Sequence, residues 1–471
     1  MQKQYINGTW CDAHGGGTWD VINPATETTI TTVPFGGAAD ARMAIQAAVT
    51  AFRTWSTLSS WTRAEYLKRA AALIIENLAD FARDTTLESG KPLLEAEGEW
   101  KVAAQLFEWF AEEGKRAYGR IIPAARPDKR IQVIYQPMGV VGIITAWNFP
   151  AYNPARAWAA ALAGGCTIVA KGSEYTPLST MNLMRALVEA GFPPGIANLV
   201  NGDAAAIGET LLDEPAVRKI SFTGSTRVGK ILMDGASRTN TRLALELGGN
   251  APVIIMDDVD AGQMAKAAAS VKFRNCGQVC TSPQRFFVHE KIYDQFLEAA
   301  TAHIAAIPVG NGQKGALGPL INRRQQEQVL DIIAQAEQDG NQLLAGGKKL
   351  EQGYFVTPAL IACTNAETPF VNREIFGPIL PVIRFSTIDE VLEKANATPY
   401  GLAAYVFTNR LKDAVHLSEQ LEFGMVGINE WYPHGTEAPF IGWKQSGLGH
   451  ESGSEGLLEY MEKKLISMGG V

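Results

Sequence analysis

An α/β fold built on a parallel sheet is the architecture this chain predicts, and two observations predict it. From Val140 onward, short β-rich runs alternate with helical segments, and the small-polar motifs KGSE (171–174) and TGST (223–226) fall where strands give way to loops. Repeated strand–helix–strand units imply a parallel sheet with helices on both faces. Such sheets bind ligands at the carboxyl ends of their strands, where the loops gather.

The elements follow in order. After opening strands, residues 38–113 are mostly helical, because ADARMAIQAAVTAF and RAEYLKRAAALIIENLADFA repeat apolar residues every three or four positions. Gly119–Pro123 and Arg130–Gln136 then alternate apolar and polar residues around turn chemistry, as a hairpin does. VVGIIT, TIVAK, ANLVN, KISFT and RLALEL are the strands of the parallel sheet, with helices between them at Pro177–Ala190 and Thr226–Gly235. A second α/β region runs from about 251 to 440, with a helix at Arg323–Asp339, the strand ILPVIRF and the helix DEVLEKAN; the chain ends in strand-like LISMG.

At 471 residues the chain is too long for one ordinary domain. It is 46% hydrophobic and 19% charged, enough to bury sizeable cores, and its net charge of −7 disfavours a nucleic-acid or anionic-membrane surface. No apolar stretch has the length of a membrane span, and MQKQYINGTW lacks the apolar run of a secretory signal. Five cysteines (11, 166, 276, 280 and 363) are odd in number and show no CxxC spacing, so a reducing, cytoplasmic setting is expected rather than a disulfide framework. No metal site is expected.

The chemistry centres on Cys280, in FRNCGQVCTSPQR. A cysteine is often only a small buried hydrophobe. Here Glu246, in LELGGNAP, and Asn148, in TAWNFP, supply the remaining parts of a thioester mechanism: a nucleophile, a base for the clearing water and an amide for an oxyanion. Each has a plainer alternative. Glu246 between two leucines suits a buried paired carboxylate, and Asn148 suits a helix cap. Gly248-Gly249 after Glu246 points to a sharp backbone turn. Gly224 and Gly229 bracket a strand-to-helix turn holding Ser225, where backbone N–H groups attract phosphate. Lys171 can donate to ribose hydroxyls, and Glu174 can accept from them or serve as an acid ahead of the Pro177 helix.

WNFP (147–150), KGSE, FTGSTRVG (222–229), LELGGNAP (245–252), GQVC (277–280), EIFGP (374–378) and PFIGWKQSG (439–447) together resemble, in order, the signatures of the NAD(P)-dependent aldehyde dehydrogenases. INGTW and VINPATE resemble that family's opening, so the likeness runs from about residue 5 to about 465. Gly172 departs from the family's usual Pro and Ile441 from its usual Gly. The resemblance implies a Rossmann-type cofactor domain (1–117 and 138–248), an α/β catalytic domain (249–440) and a small β oligomerisation element (118–137 and 441–471) of a homodimer or homotetramer. It implies Cys280 as nucleophile, Glu246 as deacylating base and Asn148 as oxyanion donor. It further implies Trp147, Lys171, Ser173, Glu174, Gly224, Ser225, Gly229, Leu247, Glu374 and Phe376 around NAD, with NADP possible. Members that pass the acyl group to coenzyme A typically lack this Glu, so hydrolysis to the free acid is expected.

Arg156 and Arg274, six residues from Pro150 and from Cys280, would by composition be solvated or salt-bridged. Both resemble the arginines that hold the carboxylate tail in succinate semialdehyde dehydrogenases. The expected substrate is therefore a small aldehyde with an anionic tail, succinate semialdehyde first, with glutarate semialdehyde or a sulfonated or phosphonated aldehyde as alternatives. A catalytically silent protein on the same fold is the alternative of a different class. WYPHGTE (431–437) departs from the usual semialdehyde pattern, and His434 within it is either an anion contact or an ordinary loop residue.

Overall fold

The computed structural model describes residues 2–310 and 316–471. Two sheets organise it. The first has eight strands, and its five central ones are parallel in the order Ala197–Leu199, Thr167–Lys171, Val140–Ile144, Val217–Thr223, Arg242–Glu246. The order reverses at Val140–Ile144, which creates a crevice at the carboxyl ends where Lys171 and Thr223 finish their strands. Antiparallel Gln4–Ile6 closes one flank, and Gly447–Leu448 pairs with Arg242–Glu246 on the other.

Alternation along these strands serves both faces. Val141 and Ile143 join the core under the helices Ser60–Glu76, Leu93–Glu113, Tyr152–Gly164 and Pro177–Glu189. Val140 and Ile144 join the core under Ala38–Trp55, Ala204–Asp213 and Thr226–Ala236. Residues buried on both faces read as continuous apolar runs, which is why these strands were visible as VVGII and TIVA.

The second sheet has seven strands, centred on Ile379–Phe385, Pro283–His289, Ala251–Ile255 and Ala403–Phe407, all parallel. The chain crosses between the sheets at Leu247–Asn250. The pair Gly248-Gly249 was expected to make a sharp turn, but neither glycine has positive φ. They are required by closeness: a Cβ on Gly248 would lie 2.7 Å from Glu374 Oε2, and one on Gly249 2.4 Å from the Cys280 carbonyl oxygen. Gly172 has a similar cause, since a Cβ there would lie 2.5 Å from Thr180 Oγ1.

The expected hairpin forms from Arg120–Ile122 and Lys129–Pro137, and the C-terminal strand Met461–Gly469 pairs along the whole of the latter. This three-stranded arm exposes Ile121 and Leu465. Among the described residues no helix is long and apolar enough to cross a membrane, and no cluster of metal-ligating side chains occurs.

Helix N-termini in the first core are closed by distant carboxylates. Asn148 was an alternative cap for Tyr152–Gly164, but Glu99 fills that role: its Oε1 accepts from the N–H of Ala151 at 2.8 Å and of Tyr152 at 3.1 Å. Its other oxygen pairs with Lys91, both side chains buried. Glu88 does the same for Pro177–Glu189, accepting from Leu178 and Ser179, and burial pushes it up to about 8. Replacing Glu99 by Ala is expected to cost about 3–5 kcal/mol in urea unfolding, because it leaves Lys91 as a lone buried charge. A loss below about 1 kcal/mol, the range of an exposed pair, would contradict this burial.

Candidate active site

Three loops converge on Cys280. The segment Arg274–Gly277 leads into it through Asn275, Cys276 and Gly277, all at positive φ (49°, 56° and 72°). A side chain at 277 would strike the Gly377 carbonyl oxygen at 2.2 Å, so glycine is needed there twice over. The run turns the backbone so that Cys280 stays half-buried and opens on a cavity of about 490 Å³, while Cys276 points into the second core. All five cysteines are free.

The Asn148 loop is tied to the Cys280 loop by hydrogen bonds. Asn148 Nδ2 donates to the Gln278 carbonyl at 3.1 Å, and its own carbonyl accepts from Lys91 Nζ and Asn275 Nδ2, both at 2.9 Å. Glu95 Oε2 accepts from the Asn275 N–H at 2.8 Å. Glu246 ends the strand Arg242–Glu246, buried, with Oε2 lacking a hydrogen-bond partner among the described residues. It is buried as its plainer alternative required, but unpaired.

Burial sets the protonation of these groups. It pushes the Cys280 thiol up to about 12, against the pull of Arg156, while Glu246 and Glu374 push it further. Burial also raises Glu246 well above the usual carboxylate range; Arg156 lowers it and Glu451 raises it. Glu374 is pushed up to about 7 by burial, opposed by the Gly249 N–H that its Oε1 accepts at 3.1 Å and by Lys272.

The two arginines differ. Both border the cavity. Arg156 is buried and its guanidinium is already committed to Glu451 in a buried ion pair, lying over Phe440 at 4.3 Å. Of the two arginines expected to hold the tail, Arg156 thus carries an ion pair of its own. Arg274 is half-buried, lies between the Phe149 and Tyr432 rings at 5.3 and 5.4 Å, and forms no ion pair among the described residues. His434 borders the same cavity against Phe440, and burial with both arginines pushes it down to about 4, so it is neutral.

The residues expected around a dinucleotide do not border that cavity. Ser225 caps Thr226–Ala236, accepting from Val228 N–H. Gly224 donates to the Glu246 carbonyl at 2.9 Å, and a Cβ on Gly229 would lie 2.6 Å from Leu247 Cδ2. Lys171 pairs with Glu174 at 2.7 Å, and Ser173 Oγ accepts from Tyr175 N–H. Trp147 meets Phe376 edge-on at 5.4 Å, Phe376 having a positive φ of 51°. Sequence reasoning missed Lys91, Glu95, Glu99 and Glu451. Glu95 and Glu99 have only the helical spacing that many exposed acids have, Lys91 lies just before their helix, and Glu451 meets Arg156 from 295 positions away (451 − 156).

Residues 10–466 match the model of the aldehyde dehydrogenase family. The chain is 42% identical to 3-sulfolactaldehyde dehydrogenase of Pseudomonas putida, over 100% of this chain and 97% of that protein. It is also 42% identical to the NADP(+) succinate-semialdehyde dehydrogenase of Escherichia coli K12, over 99% and 98%. Among solved structures, succinate-semialdehyde dehydrogenase from Burkholderia pseudomallei superposes with a TM-score of 0.98 at 42% identity, covering 100% of this chain and 98% of that one. Betaine aldehyde dehydrogenase of Staphylococcus aureus in complex with NAD+ gives 0.97 at 35%, covering 100% and 95%.

A raised thiol has a direct consequence. Alkylation of Cys280 by iodoacetamide, followed by peptide mass, should rise about tenfold per pH unit without levelling off below about pH 9, because the thiolate remains a minor species there. A plateau near the ordinary thiol value of about 8.5 would contradict the burial described.

Proposed function

The chain belongs to the aldehyde dehydrogenase family, and from that premise we propose that it oxidises a small aldehyde with an anionic tail to the free acid, using NAD(P). One observation carries the substrate class: Arg274, a half-buried guanidinium without a carboxylate partner among the described residues, borders the same cavity as Cys280. Succinate semialdehyde is the first substrate. A sulfonated aldehyde is the second reading, supported by the likeness to 3-sulfolactaldehyde dehydrogenase.

Cys280 Sγ attacks the aldehyde carbon as the thiolate, its proton having passed to water in the cavity. The developing oxyanion is met by the Asn148 side-chain amide and the Cys280 N–H; removal of one such donor typically costs about a hundred- to a thousandfold. A nicotinamide held by Trp147, Leu247, Glu374 and Phe376 would supply the hydride acceptor needed to oxidise the thiohemiacetal on Cys280 to a thioester. Glu246 then takes a proton from water as the water attacks the thioester, releasing the acid and the Cys280 thiol. Its unpartnered Oε2 leaves an acceptor for that water. Arg156 draws both Cys280 and Glu246 toward their charged forms.

The residues present fit a dinucleotide. The N-terminus of Thr226–Ala236, which follows Gly224 and is capped by Ser225, would offer its N–H groups to the pyrophosphate, and Gly229 lets that helix pack close against Leu247. Lys171, Ser173 and Glu174 would take the adenosine ribose. Trp147, Leu247, Glu374 and Phe376 would hold the nicotinamide end. Glu174 favours NAD over NADP by repelling a 2′-phosphate, an effect that Lys171 at 2.7 Å softens. We keep as part of this proposal a cofactor unit of 1–117 and 138–248, a catalytic unit of 249–440 and an arm of 118–137 and 441–471, with Gly447–Leu448 of the last segment pairing in the first sheet. The exposed apolar residues Ile121 and Leu465 support assembly of a homo-oligomer through the arm.

Arg274→Leu tests the substrate class. A charge-assisted hydrogen bond is worth roughly 1.5–3 kcal/mol, so kcat/KM for succinate semialdehyde should fall about ten- to a hundredfold while butanal is spared. An equal fall for both aldehydes would make Arg274 structural and end the anionic-substrate reading.

A further inference from the structure

We propose that Glu451 makes the substrate cavity selective for tails with one negative charge, carboxylates and sulfonates, over tails with two, such as phosphonates. The proposal rests on the anionic-aldehyde reading above and narrows it.

Most of the charges around this one cavity are paired or neutral. Helix Tyr152–Gly164 contributes Arg156, buried with the Glu451 carboxylate against it, so the pair is neutral as a unit. Helix Leu93–Glu113 and the residues before it contribute Lys91 and Glu99, again a buried pair. The loop 431–437 contributes His434, which is neutral because burial and both arginines oppose its charge, and Glu437, exposed at the rim. Glu246 is held toward its neutral form by burial. Glu95 is raised by burial and is occupied by the Asn275 N–H. Among the described residues, that leaves Arg274 as the single cation on the wall without an ion-pair partner.

A carboxylate or sulfonate tail brings one charge to this wall and is matched. A fully ionised phosphonate brings two, and its second charge has no counterpart in a water-poor cavity, where an unpaired charge is costly. Glu437 at the rim adds repulsion rather than relief. Arg156 still presents N–H donors beside the Phe440 and Tyr152 rings. It can orient a tail by hydrogen bonding while Glu451 cancels its net charge. Glu451 itself does not border the cavity; it is held from behind by Ser221 Oγ, which donates at 3.1 Å. Its effect is therefore on the field at the tail and not on the shape of the pocket.

Sulfoacetaldehyde and phosphonoacetaldehyde share a two-carbon frame and a tetrahedral tail, and differ in charge at about pH 8.5, well above a phosphoryl group's second ionisation near pH 6. The wild-type enzyme should favour sulfoacetaldehyde in kcat/KM by about tenfold or more, a discrimination that needs only about 1.4 kcal/mol. Glu451→Gln frees the charge of Arg156 and should narrow that ratio by about tenfold. The double variant Arg156→Met/Glu451→Gln removes both charges and should return the ratio toward wild type, which a merely structural role for Glu451 would not do. A ratio within one preparation is unaffected by the fraction that folds, and if Glu451→Gln yields no folded protein, Arg156→Met, which leaves the Glu451 charge uncompensated, should widen the wild-type ratio, an unchanged ratio overturning the proposal. Equal use of both aldehydes by wild type, or an unchanged ratio in Glu451→Gln, overturns the proposal. A wild-type preference for butanal over both is a different result, and it would end the anionic-substrate reading on which the proposal stands.

Discussion

The buried pair of Lys91 and Glu99 is the interaction on which the site depends. Glu99 closes the N-terminus of Tyr152–Gly164, and Lys91 reaches the Asn148 carbonyl, which also accepts from Asn275. Through these contacts one helix of the first core fixes both the loop that carries Asn148 and the left-handed run that carries Cys280. A buried pair of this kind adds little net stability over an apolar pair, but loss of one member is severe. Its value here is geometric. The amide and the thiol come from chain segments more than a hundred residues apart, and both are oriented from the same carboxylate and ammonium.

The second constraint is the crossing between the sheets. Glu246 ends a strand of one sheet, and within five residues Ala251 begins a strand of the other. Gly248 and Gly249 allow that short passage to run against Glu374 and the Cys280 carbonyl. The same crowding excludes water, and the exclusion pushes the thiol and both carboxylates toward their neutral forms. Arg156 is the opposing influence on Cys280 and Glu246, and Glu451 holds Arg156 in place. Geometry and protonation are thus set by one set of contacts.

Much of the fold was legible because strands buried on both faces read as apolar runs and the helices repeat every three or four residues. VVGIIT, TIVAK and ILPVIRF all mark observed strands, and the hairpin near 119–136 forms. Strand order was not legible, since pairing depends on partners distant in sequence. The C-terminal strand begins at Met461, ahead of its apolar residues, because one face of the arm is open and Glu462 to Lys464 tolerate it. The reactive residue types were legible from their motifs, but their partners were not. Asn148 looked like a helix cap because a cap was needed there; Glu99 supplies it from another helix. Two arginines looked equivalent because nothing near Arg156 in the sequence announces Glu451.

The central claim is that Cys280 carries an acyl group which Glu246 is needed to clear. Glu246→Gln, mixed with succinate semialdehyde and NAD, tests it most directly. The account predicts a burst of about one equivalent of reduced cofactor, slow turnover afterwards, and an acyl adduct on the Cys280 peptide by mass spectrometry. Turnover at the wild-type rate, or loss of the burst together with the steady state, would contradict it.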